Sequence, residues 1–146
     1  MATPGTLDEL PAWARSLLAE VRVAHLGLLD DHHRPRVLPV TFAVLDGAVW
    51  SAIDHKPKRR PAGDLARVRW LRARPESTLT IDRYDDDWTR LAWVQLIGTT
   101  AVVDVAGHDG VLAALAERYP QYRDRPPQGP LLRLTPQRTV CWNARA

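Results

Sequence analysis

The chain has 146 residues, of which 45% are hydrophobic and 25% are charged. This length and composition are typical of a globular protein with a single core, so we expect one domain over residues 1–146. The formal net charge of +3 and the pI near 9.5 permit an anionic partner without requiring nucleic acid. The lone cysteine, Cys141, excludes an internal disulfide and a cysteine-only zinc site.

No stretch of the sequence approaches the run of about eighteen apolar residues that a membrane-spanning helix requires. The first residues are neither basic nor followed by an apolar run, so they do not resemble a signal peptide. We therefore expect a cytoplasmic protein without a membrane partner.

Apolar periodicity, together with the positions of proline and glycine, predicts three helices and six strands. A short amphipathic helix is expected at about residues 11–21, beginning at Pro11. The later helices are centred on residues 65–71 and 111–115, and Pro75 and Pro120 end them. The predicted strands cover residues 23–29, 36–44, 49–53, 77–84, 91–104 and 131–142.

This order of elements indicates the fold class. Three strands in a meander, two further strands and a last strand do not alternate strictly with helices, as a parallel α/β fold would require. An α+β protein is therefore predicted, mainly β with covering helices, in which six antiparallel strands form a barrel. A hairpin at Asp46-Gly47 joins the second and third strands. The barrel would leave exposed edges, which such proteins often cover by forming dimers.

A cluster of cations follows the third strand. Pro57 interrupts the strand within a segment that carries Lys56, Lys58, Arg59 and Arg60. Cations at the end of a rigid strand are well suited to bind a phosphate through charge-assisted hydrogen bonds. The alternative is a basic loop that is merely solvated.

Several sequence blocks carry a resemblance to a known family. The runs Arg36-Val37-Leu38-Pro39-Val40-Thr41-Phe42 and Asp54-His55-Lys56-Pro57-Lys58 resemble the pyridoxamine 5′-phosphate oxidase-like superfamily. The run Asp82-Arg83-Tyr84-Asp85-Asp86-Asp87-Trp88, with Trp142, is similar to an actinobacterial branch of F420-dependent enzymes. The resemblance covers the chain from about Ala14 to Trp142. It implies a split β-barrel of the FMN-binding type that forms a homodimer, with a flavin or deazaflavin in each of two grooves between the subunits.

The resemblance also implies which residues bind the cofactor. Lys56 and Lys58 fall where the family holds the cofactor phosphate, with Arg59 nearby. The other expected cofactor-binding residues border the ring or cover it from the partner subunit: Ser51, Ala52, Ile53, Asp54, Pro39, Val40, Thr41, Trp88 and Trp142.

The expected function is that of an F420-dependent oxidoreductase, which transfers hydride between the deazaflavin and a small organic substrate. An FMN-dependent oxidase or reductase of the same fold is the alternative, and a protein that only carries the cofactor would need the same groove. The catalytic residues stay unassigned, because the chain shows no nucleophile–base pair, no zinc-binding helix motif and no glycine-rich phosphate loop. A third alternative, a basic nucleic-acid-binding module, lacks any accompanying motif for that function.

Other polar clusters favour structural roles. Asp30-Asp31-His32-His33 could suggest metal ligands, but aspartate is favoured in a tight turn, and no metal site is predicted. The acidic run of residues 85–87 is interpreted as a solvated turn. His25 is expected in the core or in an interface, with a proton-transfer role as the alternative. Cys141 is expected to be buried.

Overall fold

Seven strands in the described part of the chain form one antiparallel sheet. The structure, a computed structural model, describes residues 6–53 and 65–145. The strands are β1 (Ala24–Leu29), β2 (Pro35–Val40), β3 (Ala43–Leu45), β4 (Ala48–Ala52), β5 (Glu76–Arg83), β6 (Ala92–Val103) and β7 (Leu131–Asn143). They lie side by side in the order β2-β1-β5-β6-β7-β4-β3, so the sheet curls without closing and has β2 and β3 as its edges.

Four α-helices are present in the same described ranges. They are α1 (Ala12–Glu20), α2 (Ala66–Ala73), α3 (Asp109–Arg118) and α4 (Pro120–Asp124), and short 3-10 turns occur at Leu7–Glu9 and Trp88–Arg90. The predicted N-terminal helix is confirmed, although Pro11 caps it in an extended conformation instead of being its first residue. Pro120 ends α3 as predicted, and it also begins α4, a short helix that was not predicted. No helix in residues 6–53 and 65–145 is long and apolar enough to cross a membrane.

The predicted antiparallel α+β architecture is confirmed, but the predicted number of six strands is wrong. The strand expected over residues 36–44 is two strands, β2 and β3, which are separated by Thr41 and Phe42. The backbone N–H of Phe42 donates to the Tyr119 hydroxyl oxygen over 3.0 Å. Because that group bonds to the side chain of Tyr119, which lies between α3 and α4, it does not extend a ladder between strands, and the chain turns from one edge of the sheet to the other.

The predicted hairpin between β3 and β4 is confirmed. Asp46 and Gly47 have φ values of 54° and 71°. Two consecutive residues with positive φ form the type I′ turn whose twist matches that of antiparallel strands. The turn pairs Leu45 with Ala48 and sets the register of the whole ladder.

Two apolar clusters stabilise the sheet. The larger lies inside the curl, where α1 and α2 contribute Leu17 and Leu71, both only 1% exposed. The smaller lies between β4 and the pair α3–α4, where Trp50 and Ala52 pack near Leu115. Strand β4 is therefore buried on both faces.

A bulge divides the long strands β6 and β7. The register shifts between Ile97 and Gly98, where Gly98 lies opposite Pro136. A Cβ atom on Gly98 would overlap the carbonyl oxygen of Thr135, so glycine is required for this close approach. The shift changes which residues of β7 point inward, because side chains alternate strictly along a strand.

Candidate functional site

One face of the sheet is left uncovered by the helices over β2, β1, β5, the first half of β6 and the second half of β7, and we call this part the open face. Directly paired residues of antiparallel strands point to the same side of the sheet, so the strand register defines three rows on this face. None of the residues in these rows is buried. The rows are Pro39, His25, Thr80, Gln95 and Val140; Val37, Gly27, Thr78, Ile97 and Arg138; and Asp82, Trp93 and Trp142.

The open face is shallow and partly apolar. Val37 on the edge strand β2 is 66% exposed, and Trp142 on β7 is 38% exposed. Gly27, beside Val37, carries no side chain, and Thr78 and Thr80 are short. Such a surface can accept a planar ring or the matching surface of a second protein chain.

The two strands that were predicted to border the cofactor ring lie together. Val40 of β2 and Ser51 of β4 line the same interior cavity, which has a volume of about 10 Å³. That volume holds about one water molecule at most and is far too small for a tricyclic ring. The Ser51 hydroxyl oxygen is buried, and it has no hydrogen-bond partner among the described residues.

The neighbouring candidates are held firmly in place. Ala52 packs against α3 and α4, and Ile53 is 3% exposed. The Thr41 hydroxyl lies 2.9 Å from the Tyr122 hydroxyl and shares a hydrogen bond with it. Pro39, by contrast, is exposed at the edge of the sheet. The end of β2 is therefore a rigid edge with one accessible residue.

Tyr119 fixes this corner of the sheet, a role that could not be predicted from the sequence alone. Its hydroxyl accepts from the Phe42 N–H and lies 2.8 Å from the Arg22 carbonyl oxygen, to which it donates. Tyr119 directly follows α3, and its apolar ring indicated only the last residue on the apolar face of that helix. The only signal in the sequence was the spacing of Tyr119 and Tyr122, which are three residues apart across Pro120. This spacing indicates a shared role only once α4 is known.

The two tryptophan candidates lie at the other end of the molecule. Trp142 is near the end of β7, while Ser51 pairs with Leu132 near its beginning. Ten residues of strand at about 3.3 Å each separate these points by up to roughly 33 Å. Trp88, which is 69% exposed, lies in the turn before β6, close to the same end as Trp142. One chain therefore does not bring the tryptophans and Ser51 to a common site.

The proposed phosphate-binding residues fall outside the described ranges. Lys56, Lys58 and Arg59, together with Asp54, follow Ile53 directly in the sequence. Their assignment stays a prediction.

The cluster Asp30-Asp31-His32-His33 forms a turn, as the sequence indicated. The Asp30 carboxylate accepts from the backbone N–H groups of His32 and Arg34, at 2.9 and 3.0 Å. The hydrogen bond from Arg34, reinforced by His32 and by Arg36, holds the pKa of Asp30 below its usual range. Within the described ranges, no three histidine, cysteine, aspartate or glutamate side chains lie close enough to hold a metal ion.

The acidic run also builds a turn. Asp87 accepts from the Thr89 hydroxyl and from its backbone N–H, at 2.7 and 3.1 Å. Both hydrogen bonds lower the pKa of the Asp87 carboxyl, and the bond from the Thr89 hydroxyl has the larger effect. Asp85 accepts from the Asp87 N–H and pairs with Arg90. The carboxylates are thus engaged within the turn itself.

Two other expectations have clear outcomes. Cys141 is buried as predicted, and burial raises the pKa of its thiol. His25 is exposed on the open face, so the prediction of a core position is wrong, and the interface alternative stays a prediction. The reason is the register, because His25 points away from Ala24 and Leu26, which occupy the core.

Comparisons with known proteins bear on the fold. No protein-family model matches this chain, and no curated protein sequence matches it significantly. Among solved structures, a conserved hypothetical protein from Mycobacterium tuberculosis is 18% identical, with a TM-score of 0.73 over 97% of this chain and 91% of that one. An F420 reductase is 17% identical, with a TM-score of 0.68 over 90% of this chain and 98% of that one. An FAD-binding protein from Mesorhizobium loti is 19% identical, with a TM-score of 0.63 over 97% of both chains.

The fold is that of the split-barrel proteins. Heme-binding proteins also occur among the structures that share it. At these identities the likeness shows the arrangement of the chain and not its ligand.

Proposed function

We propose that this protein is an F420-dependent oxidoreductase that acts as a homodimer, with each cofactor held between the two subunits. The observation that carries the proposal is the meeting of the ends of β2 and β4, where Val40 and Ser51 line one cavity. At this corner, the exposed edge at Pro39 lies near the end of β4, and the sequence continues from β4 to Lys56 and Lys58. When bound, F420 would supply hydride transfer at the central position of its ring.

The fit of such a cofactor can be tested against the residues present. The interior of the sheet has room for about one water molecule, so a tricyclic ring cannot enter it. The open face offers short side chains beside exposed aromatic and aliphatic ones, and the ring would lie against it. Because the Ser51 side chain faces the interior, the end of β4 would border the ring with its backbone.

A homodimer would complete the site. Trp88 and Trp142 lie too far from Ser51 in one chain to contact the same cofactor, but a two-fold axis can bring them from the partner subunit. The exposed Val37 and Trp142 would be covered in such a dimer, and the free edge of β2 would be protected. The residues of one subunit would therefore hold the phosphate, while those of the other would cover the ring.

The phosphate site can be tested with a double substitution. Lys56→Ala combined with Lys58→Ala removes two charged hydrogen-bond donors, each worth about 1.5–3 kcal/mol. We expect the Kd for F420, measured by fluorescence titration, to rise by about a hundredfold or more.

A matched control removes the same charge elsewhere. Arg15→Ala combined with Arg125→Ala alters two exposed cations outside this corner, and it should leave the Kd unchanged. Equal affinity of the lysine variant and the wild type would show that the phosphate lies elsewhere.

FMN is the second candidate cofactor, because an FAD-binding protein shares the fold over 97% of this chain. The same groove would then hold an isoalloxazine, and oxygen could serve as the electron acceptor. A parallel titration with FMN distinguishes the two, since the proposal expects a clear preference for F420.

A further inference from the structure

A second pocket lies beneath α1, at the end of the sheet opposite Ser51. Its volume is about 400 Å³, and it opens between α1 and the ends of β5, β6 and β7. Asn143, which lines it, is eleven residues along β7 from the partner of Ser51, up to roughly 36 Å away. The pocket is therefore separate from the corner that we propose for the cofactor phosphate.

Arg83 occupies an unusual position in this pocket. It continues the inward-pointing series of Leu79 and Ile81 on β5, where an apolar residue would be expected. Its Nε donates to the Arg90 carbonyl oxygen over 2.8 Å, and one terminal nitrogen lies 3.5 Å from a Glu20 carboxylate oxygen. These contacts orient the planar guanidinium at the wall of the pocket and leave further N–H donors for a ligand.

Two more arginines line the same pocket. Arg90 is positioned by a 3.0 Å contact between its Nε and the Asp85 carboxylate. Arg145 follows Asn143, whose side-chain oxygen accepts from the Arg145 backbone N–H over 3.0 Å. Among the described residues, the lining thus includes three arginines and one carboxylate, that of Glu20.

Two nearby aspartates balance part of this charge, because Asp85 pairs with Arg90 and Asp87 interacts electrostatically with Arg145 and Arg90. Asp85 and Asp87 lie outside the lining, and they accept hydrogen bonds from their own turn. They hold the turn and Arg90 in place, which preorganises the cations for an incoming anion.

The remaining walls are apolar. They consist of Trp13 and Leu17 from α1, together with Leu91, which directly precedes β6. A pocket of this size, mainly apolar with a few convergent polar groups, has the properties of a small-molecule site.

We propose that this pocket binds a small organic anion, in which a carboxylate or phosphate is attached to an aromatic or aliphatic body. The arginines contact the anionic group in a bidentate manner, and the half-buried Trp13 and Leu91 contact the body. The inference does not depend on the proposed cofactor, because none of the described lining residues is among the predicted phosphate or ring contacts.

The test is calorimetric titration of the full chain with benzoate and phenyl phosphate, with neutral benzyl alcohol as the matched probe. At least one of the two anions should bind saturably, and at least about tenfold more tightly than the alcohol. Arg145→Gln and Arg83→Gln should each weaken that binding by about tenfold. Arg125→Gln, at an exposed position outside both this pocket and the open face, should leave it unchanged.

Arg83 also contacts Arg90 and Glu20, so its variant could fold less well, and unfolding curves will reveal this. The Arg145 side chain makes no hydrogen bond or ion pair within the described ranges, apart from an electrostatic interaction with Asp87, and its variant keeps the test valid. The proposal is overturned if neither anion binds, if benzyl alcohol binds equally well, or if both arginine variants bind like the wild type. Loss of binding in the Lys56→Ala, Lys58→Ala variant alone would also overturn it, because the probe would then occupy the proposed cofactor site.

Discussion

Tyr119 shows how a single side chain can shape the candidate site. The backbone of Phe42 lies where the chain passes from β2 to β3, and its N–H group is buried. A buried donor without a partner is costly, so the Tyr119 hydroxyl allows the chain to turn at this point. The ring of Tyr119 is only 7% exposed and packs edge-on against Tyr122.

Tyr119→Phe should therefore lower the free energy of unfolding by about 1–3 kcal/mol, because the Phe42 N–H loses its acceptor while the ring stays. Denaturant unfolding measures this change. Tyr84→Phe is the matched control, since Tyr84 is 69% exposed, and it should have almost no effect. If the two variants lose the same stability, the Tyr119 hydroxyl does not hold the corner.

At the level of elements, the bulge between β6 and β7 decides which residues reach the open face. Before the bulge, Leu131 and Arg133 point toward α3 and α4. After it, Val140 and Trp142 lie on the open face. Without the shift of one residue, the buried Thr139 and Cys141 would exchange places with them.

Gly98→Ala should destabilise the protein by about 1–3 kcal/mol or more, because its Cβ would meet the backbone of Thr135 and the ladder would have to move. Thermal and denaturant unfolding test this. Gly110→Ala, within α3, is a suitable control, since the added Cβ would make only an ordinary contact with the side chain of Leu45. That change should be neutral or stabilising, and an equally mild effect at Gly98 would contradict the role of the bulge.

Local patterns in the sequence predict most of this architecture. The helix after Pro11 and the hairpin at Asp46-Gly47 each follow from residues close together in the chain. The division of residues 36–44 into two strands could not be predicted, because its cause is Tyr119, which is 77 positions from Phe42. The pocket of Arg83 and Arg145 was missed for the same reason, since only the sheet brings β5 and the end of β7 together with α1.

For the whole molecule, the central question is how the two halves of the predicted site come together. The tryptophans and the end of β4 lie at opposite ends of β7, and the open face between them is uncovered. A second copy of the chain accounts for both facts, because a two-fold interface uses the same surface twice. In our proposal the protein contributes position and electrostatics, and the cofactor contributes the redox chemistry.

Sedimentation velocity with F420 present tests this account most directly, with detection of both protein and deazaflavin absorbance. We predict that the protein sediments as a dimer and that the deazaflavin moves with it, at about one cofactor per chain. A dimer that carries FMN but not F420 would change the chemistry and keep the site. A monomer, or a dimer that leaves both cofactors behind, would contradict the proposal that the open face and the end of β4 form a cofactor site between subunits.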